Sequence, residues 1–377
     1  MRLSHRGGRT VHLSCGTDIG AARDLADLVA QLDAYAAGAR AQHDADTLGL
    51  SLWLPPALAA ALAVDTRGRA RLRAELDARA LEVVTLSGLP YGGTAPGEGH
   101  HQPDWSTVER LEYTLDLARI LVDLLPDDAV RGSVSTIGIG RRAGWGIDRE
   151  RAGNRILGRL SSGLAEIAWQ TGRAIRVGLR PEPGAVMDSV EQIAASLARV
   201  DRDRVGVCLD LASLACTWQD PADVLTRLAA AGIAVIRVQI NTAVEVTHPG
   251  AAGDILHRYA AGAVAYQVTT PTGGYADDIA AAQRDELPGP WRVRYPLPLH
   301  TVPPAPLTAT SKVSVAALRH LMGGEMPACE HLDVHTTPGE EPPGAVGGAP
   351  AVGGAPAYAR DLLVECGLRP MGACAAR

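Results

Sequence analysis

No phenylalanine occurs among the 377 residues, and aromatic side chains make up only 4% of them. Aliphatic side chains must therefore fill whatever core the chain builds. Lysine is nearly absent as well: Lys312 is the only one, and every other cationic side chain is arginine. That leaves almost no room for Schiff-base chemistry or for a phosphate-loop lysine. The six cysteines include no C-x-x-C pair, since Cys208 and Cys216 are eight apart and Cys366 and Cys374 likewise. Zinc-finger chemistry is excluded, and reduced, mostly buried thiols are expected. The longest apolar stretch, Leu52 to Val64, is too short to span a bilayer and contains two prolines. The basic start, Met1 to Thr10, is followed by no apolar signal region. A cytoplasmic protein without a transmembrane segment is expected. P-loop, G-x-S-x-G and H-E-x-x-H motifs are all missing, and Gly138-Ile-Gly140-Arg-Arg-Ala-Gly144 is one residue too long for the dinucleotide fingerprint.

What is present suits an enzyme-sized domain: 46% hydrophobic and 21% charged residues can bury a large core, and a net charge of −6 argues against a nucleic-acid partner. Short apolar, β-branched runs recur: Val11 to Cys15, Leu48 to Leu54, Leu81 to Leu86, Ser133 to Ile137, Ile175 to Leu179, Val205 to Leu209 and Ala234 to Ile240. Helical spacing separates them, as in Leu25, Leu28, Val29 and Leu32, or Leu157, Leu160, Leu164 and Ile167. Helix starts are expected at Ser106 with Glu109 in capping-box spacing, at Asp188 with Glu191, and at Asp220-Pro221. Strand and helix in strict alternation imply a parallel sheet. Eight such units need about 250 residues, so a (β/α)8 TIM barrel with extended loops is the expected fold, with an open doubly wound sheet as the alternative. Three segments compete for the eighth place: Val264 to Val268, Trp291 to Leu297 and His331 to Val334. One domain over residues 1–337 is expected. A flexible low-complexity insert rich in Gly, Pro and Ala follows over 338–357, where Val346-Gly-Gly-Ala-Pro-Ala351 is repeated at once. A short closing helix and tail occupy 358–377.

Arg180-Pro181-Glu182-Pro183 and Leu209-Asp210-Leu211 put charge at the far end of apolar runs, which is how an α/β enzyme presents chemistry. In a barrel such strand ends converge on one face, so Asp18, Arg180, Glu182, Asp210, Gln239, His300 and His335 are candidates for one pocket. Carboxylate, amide and imidazole together suit a divalent ion such as Mg²⁺, Mn²⁺ or Zn²⁺. The metal ligands expected are Asp210, Gln239 and His335; the catalytic groups are Glu182 and His300; Asp18, Tyr91, Arg180 and Trp218 are expected against the substrate. A plainer reading stands beside each. Asp210 could cap the following loop, Glu182 could pair with Arg180, and His300 and His335 could be loop side chains. His100 and His101, in the glycine-rich loop after Tyr91, read as solvated. Trp105, Trp145 and Trp218 could stack on a sugar ring or could simply be buried.

Thr85-Leu-Ser-Gly-Leu-Pro-Tyr-Gly-Gly93, Pro103-Asp-Trp-Ser-Thr107, Glu109-Arg-Leu-Glu-Tyr-Thr-Leu115, Leu124-Leu-Pro126 and Gly132-Ser-Val-Ser-Thr136 resemble the EboE-type metabolite traffic proteins, which belong to the xylose-isomerase-like TIM barrels. Further matches are Arg180-Pro-Glu-Pro183, Cys208-Leu-Asp210, Val238-Gln239, Trp291-Arg-Val293 and Leu332-Asp-Val334, so the likeness runs over nearly the whole chain. The resemblance implies a barrel that handles a small secondary-metabolite precursor on its way out of the cytoplasm, with other proteins of the same operon as partners. The wider superfamily isomerises or epimerises sugars with a divalent metal, and an isomerase, epimerase or lyase is the enzymatic alternative. The sequence departs from the family pattern at its implied ligands. Arg180 stands for an acidic residue, Ser213 for a histidine and His335 for a glutamate, and histidines are expected near Tyr266, Arg294 and Pro296. Arg180 is the severest change, because it puts a permanent cation beside the implied ion. Metal-dependent enzyme, metal-free carrier and scaffold for operon partners therefore remain three open functions.

Overall fold

The structure, a computed structural model, describes residues 1–16, 22–40, 47–89, 91, 101–260, 266–334 and 354–371. Eight strands run parallel and close on themselves: β1 (Thr10–Gly16), β2 (Leu48–Trp53), β3 (Leu81–Ser87), β4 (Arg131–Ile137), β5 (Ala174–Arg180), β6 (Val205–Asp210), β7 (Val235–Ile240) and β8 (His331–Val334). Each pairs with the next, and β8 bonds both β7 and β1, which closes the barrel. The expected (β/α)8 barrel is the fold. Strands such as β6 and β7 are buried along their whole length, which explains their near-continuous apolar composition.

Helices cover the outside. In Ile147–Thr171, Ile156, Leu157, Leu160, Leu164 and Ile167 form the buried stripe, and Gly172 ends the helix at φ 70°. Asp220 caps Pro221–Ala230 as expected, accepting from the amides of Ala222 and Asp223. Two other starts differ. Ser106 forms no capping box, because its amide and hydroxyl both donate to Asp104, and Thr107 becomes the residue before Val108–Leu124 without a side-chain cap. Ser189, one place after Asp188, caps Val190–Ser196 by accepting from the Gln192 amide.

The eighth place is decided by burial. All four residues of His331–Val334 are buried, as a strand covered on both sides must be. Trp291–Leu297 has buried residues interrupted by half-exposed Arg292 and Pro296 and pairs antiparallel with Thr242–Val246. It belongs to a second, five-stranded sheet with Val268–Thr269, Tyr275–Ala276 and Thr308–Ala309. This sheet grows from the connection between β7 and β8 and has its own core, including Val244, Tyr259, Trp291, Val293, Tyr295 and Leu297. Of Val264 to Val268, the third contender, only residues from Tyr266 onward are described. The boundary between residues 337 and 338 lies outside the described residues; the chain resumes in the helix Gly354–Glu365, which buries Ala355, Ala359, Leu362 and Leu363.

The barrel lumen is polar. Ser51, Thr85, Ser133 and Ser135 are small enough to leave room for Arg237, which reaches across to Ser51 Oγ (2.6 Å), Ser135 Oγ (2.9 Å), the Leu86 carbonyl (3.2 Å) and the Asp333 carboxylate. At the amino end of the barrel, Glu82 accepts from Arg2 Nε at 2.9 Å and lies 3.1 Å from His12 Nδ1. No described helix is long and apolar enough to cross a membrane.

Candidate functional site at the carboxyl rim

Two consecutive strand ends build the site. β5 delivers Arg180 and then turns through Pro181-Glu182-Pro183, where the prolines restrict both their own φ and the residues before them. The turn tightens at Gly184 (φ 77°), and a Cβ there would lie 2.3 Å from the Tyr275 hydroxyl of the second sheet. β6 ends in Asp210, whose Oδ1 accepts from the Ser213 amide at 3.0 Å and so caps Leu211–Ala215. The capping reading of Asp210 is thus realised at one oxygen, and the other faces the site.

Arg180, Glu182 and Asp210 come together through shared ion pairs. Glu182, 2% exposed, has Arg180 Nη2 3.1 Å from one carboxylate oxygen and His101 Nε2 3.1 Å from the other. Arg294, from the second sheet, completes the cluster: its Nη1 stands 3.6 Å from Glu182 and 3.8 Å from Asp210, while its Nε donates to Gln267 at 2.6 Å. Gln239, the penultimate residue of β7, stands in register with Asp210 on one side and Asp333 on the other. Two arginines thus face two carboxylates in a buried, neutral group.

His101 and Arg294 were missed as site residues by the sequence reading. His101 is itself buried rather than solvated, and the residues that follow it are anchored. Trp105 is fully buried and donates Nε1 to the Ile137 carbonyl at the end of β4, and its amide donates to Ile139. Buried Asp104 ties down Ser106. The Pro103-Asp-Trp motif is therefore the peg that holds His101 over β5. Burial lowers the His101 pKa, and Arg180, Arg294 and Arg141 add to that against the pull of Glu182. The shift favours the neutral imidazole. For Arg294 the signal was its place among positions where the family pattern has histidine.

The other expected residues stand apart from this cluster. Trp218 donates Nε1 to Thr269 (3.1 Å), and the Arg292 guanidinium lies 4.0 Å from its ring centroid; one ring face is already covered, which works against sugar stacking there. Tyr91 packs edge-on to Tyr113 and under Arg110. His300 sits beside Tyr358 of the C-terminal helix, and makes no hydrogen bond or ion pair with Glu182 or Asp210. Trp145 lies against Gly140. Asp18, His100 and His335 lie outside the described residues.

Of the expected metal ligands, Asp210 and Gln239 are described and His335 is not. No group of three His, Cys, Asp or Glu side chains suited to a metal occurs among the described residues, and the two carboxylates already share Arg294. A cation bound by those carboxylates would have to share them with the permanently charged Arg294 guanidinium, which repels it.

A family model described as xylose isomerase-like TIM barrel matches residues 39–261. Among solved structures, a xylose isomerase-like TIM barrel protein from Mycobacterium smegmatis in complex with magnesium is 13% identical, with 94% of this chain and 97% of that one covered and a TM-score of 0.52. A xylose isomerase domain protein from Alicyclobacillus acidocaldarius is 15% identical over 94% of this chain and 100% of that one, TM-score 0.52. An L-ribulose 3-epimerase is 14% identical over 94% and 95%, TM-score 0.51. At these identities the likeness is one of fold. No curated protein matches the chain.

Proposed function

Because the chain belongs to the xylose isomerase-like TIM barrel family, we propose that its carboxyl rim receives a small metabolite, and that arginine supplies the positive charge there. The ligand carries a carboxylate or phosphate. The observation that carries this reading is Arg294, standing between Glu182 and Asp210 with Arg180 on the far side of Glu182. A planar guanidinium can exchange one carboxylate for another in the same bidentate geometry. An acidic ligand entering the rim would take over part of what Glu182 and Asp210 now provide. This suits an EboE-type traffic protein that holds an acidic secondary-metabolite precursor for its operon partners.

Native mass spectrometry of the full chain with matched acidic and neutral metabolites tests this. Acids are expected to bind in preference to their amides or alcohols, with affinity at least ten-fold weaker in Arg180→Met and Arg294→Met. Equal retention of neutral analogues, or unchanged affinity in both variants, would sink it.

A second reading rests on His101 beside Glu182 and on the epimerase among the solved structures. His101 would take a proton from the carbon next to a ketose carbonyl and return it, with Arg180 and Arg294 facing the enediolate oxygen. Solvent deuterium entering a ketose in the wild type, and not in His101→Asn, would favour this reading over simple carriage. About one divalent ion per chain returning after chelation, and lost in Asp210→Ala, would instead restore the metal-dependent isomerase.

A further inference from the structure

The amino end of the barrel holds a second charged hollow. Arg131 opens β4, Arg176 lies near the start of β5 and His331 opens β8. With Arg9, Ser133 and Glu330 they line a cavity of about 230 Å³. Three guanidiniums face one carboxylate. Glu330 is shared between Arg131 (3.2 Å) and Arg9 (3.9 Å). Arg176 donates Nε to the Asp203 carbonyl at 2.9 Å, and no carboxylate of the described residues lies within ion-pair distance of it.

In a TIM barrel this end ordinarily serves stability, and a cluster built for stability pairs its charges. This one is left with a surplus of two positive charges. Burial lowers the Arg176 pKa and the nearby Arg131 lowers it further. His331 is pushed well below its ordinary value by burial first, and then by His12, Arg237, Arg131 and Arg176. Glu330 and Asp203 act in the opposite direction on Arg176 without cancelling the shift, so the positive charges of the hollow are only partly compensated. Seven residues of β4 separate the hollow from the carboxyl rim, roughly 20 Å of strand, so it is not an extension of the other site.

We infer that this cavity is an oxyanion site that takes a phosphate group, either free phosphate or a small phosphate monoester, through Arg131 and Arg176 with Arg9 at the rim. Arginine forks suit tetrahedral oxyanions. A liquid water occupies about 30 Å³, so the space admits a phosphate with a small organic group attached.

The test is thermal unfolding and calorimetric titration of the full chain with inorganic phosphate replacing chloride at constant ionic strength. A saturable rise in melting temperature is expected. Affinity is expected at least ten-fold weaker in Arg176→Met and Arg131→Gln, and unchanged in Arg67→Gln, an exposed arginine on Thr66–Ala78. Glycerol 3-phosphate competing for the site would identify a monoester as occupant, and failure to compete would leave the free ion. If Arg176→Met does not fold, Arg9→Gln supplies the reading, with several-fold weaker phosphate binding. No saturable response beyond chloride, unchanged affinity in the amino-end variants, or a loss that follows Arg180→Met alone would overturn the inference.

Discussion

A guanidinium that stands 3.6 Å from one carboxylate and 3.8 Å from another fills the electrostatic place of a bound cation, yet it cannot be chelated or titrated away. Arg294→His should therefore open the rim to a metal: Mn²⁺ affinity is expected to rise at least 100-fold in calorimetry. A wild type that binds Mn²⁺ as tightly as the variant would contradict this account. The amino end offers a pH test. Burial favours neutral Glu82, but His12 and Arg2 outweigh it and bring the carboxyl down to about 2. The folded pKa lies below the ordinary value of 4.5, so this stability is complete above the ordinary value and drains away as pH falls toward the folded one. Glu82→Gln should cost roughly 3 kcal/mol at pH 7, and urea unfolding should show the gap closing near pH 2. At the same scale, Arg180, Glu182 and Asp210 were legible because each ends an apolar run. His101 was not, because its neighbour Glu182 is remote in sequence and the glycines before it suggest solvent.

Elements were legible where one local force dominates. Seven strands follow from β-branched runs, and the Asp220 cap from an acid followed by proline. The Ser106 capping box failed because Asp104, two residues earlier, competes for the same amide and hydroxyl, and no local rule ranks two adjacent caps. The turn after β5 shows how elements are joined. Gly184 has a left-handed backbone and gives its missing Cβ space to Tyr275. Gly184→Ala should cost about 1–3 kcal/mol and expel Tyr275. Hydrogen exchange should show the loss in the second sheet and not in β1 to β4; equal protection in variant and wild type would count against the contact.

Across the whole molecule, two cores meet at one site. Glu182 and Asp210 belong to the barrel, and Arg294 to a sheet with separate packing. A lesion in the second core should then reach the rim without touching it. Leu297, fully buried on the Arg294 strand, is the test: Leu297→Ala should cost about 2–5 kcal/mol and weaken binding of acidic ligands, while circular dichroism of the barrel persists. Unchanged ligand affinity in a destabilised Leu297→Ala protein would mean that Arg294 does not depend on its sheet.

By itself the sequence determined the alternation of strand and helix, the parallel barrel and the charged ends of β5 and β6, because these follow from periodicity and from residues adjacent in the chain. Tertiary structure alone decided which of three similar runs became β8, that Arg294 would face Glu182 and Asp210, and that Arg9, Arg131 and Arg176 would share one hollow. Those outcomes depend on burial and on charges meeting across long separations. Hydropathy along a chain records neither.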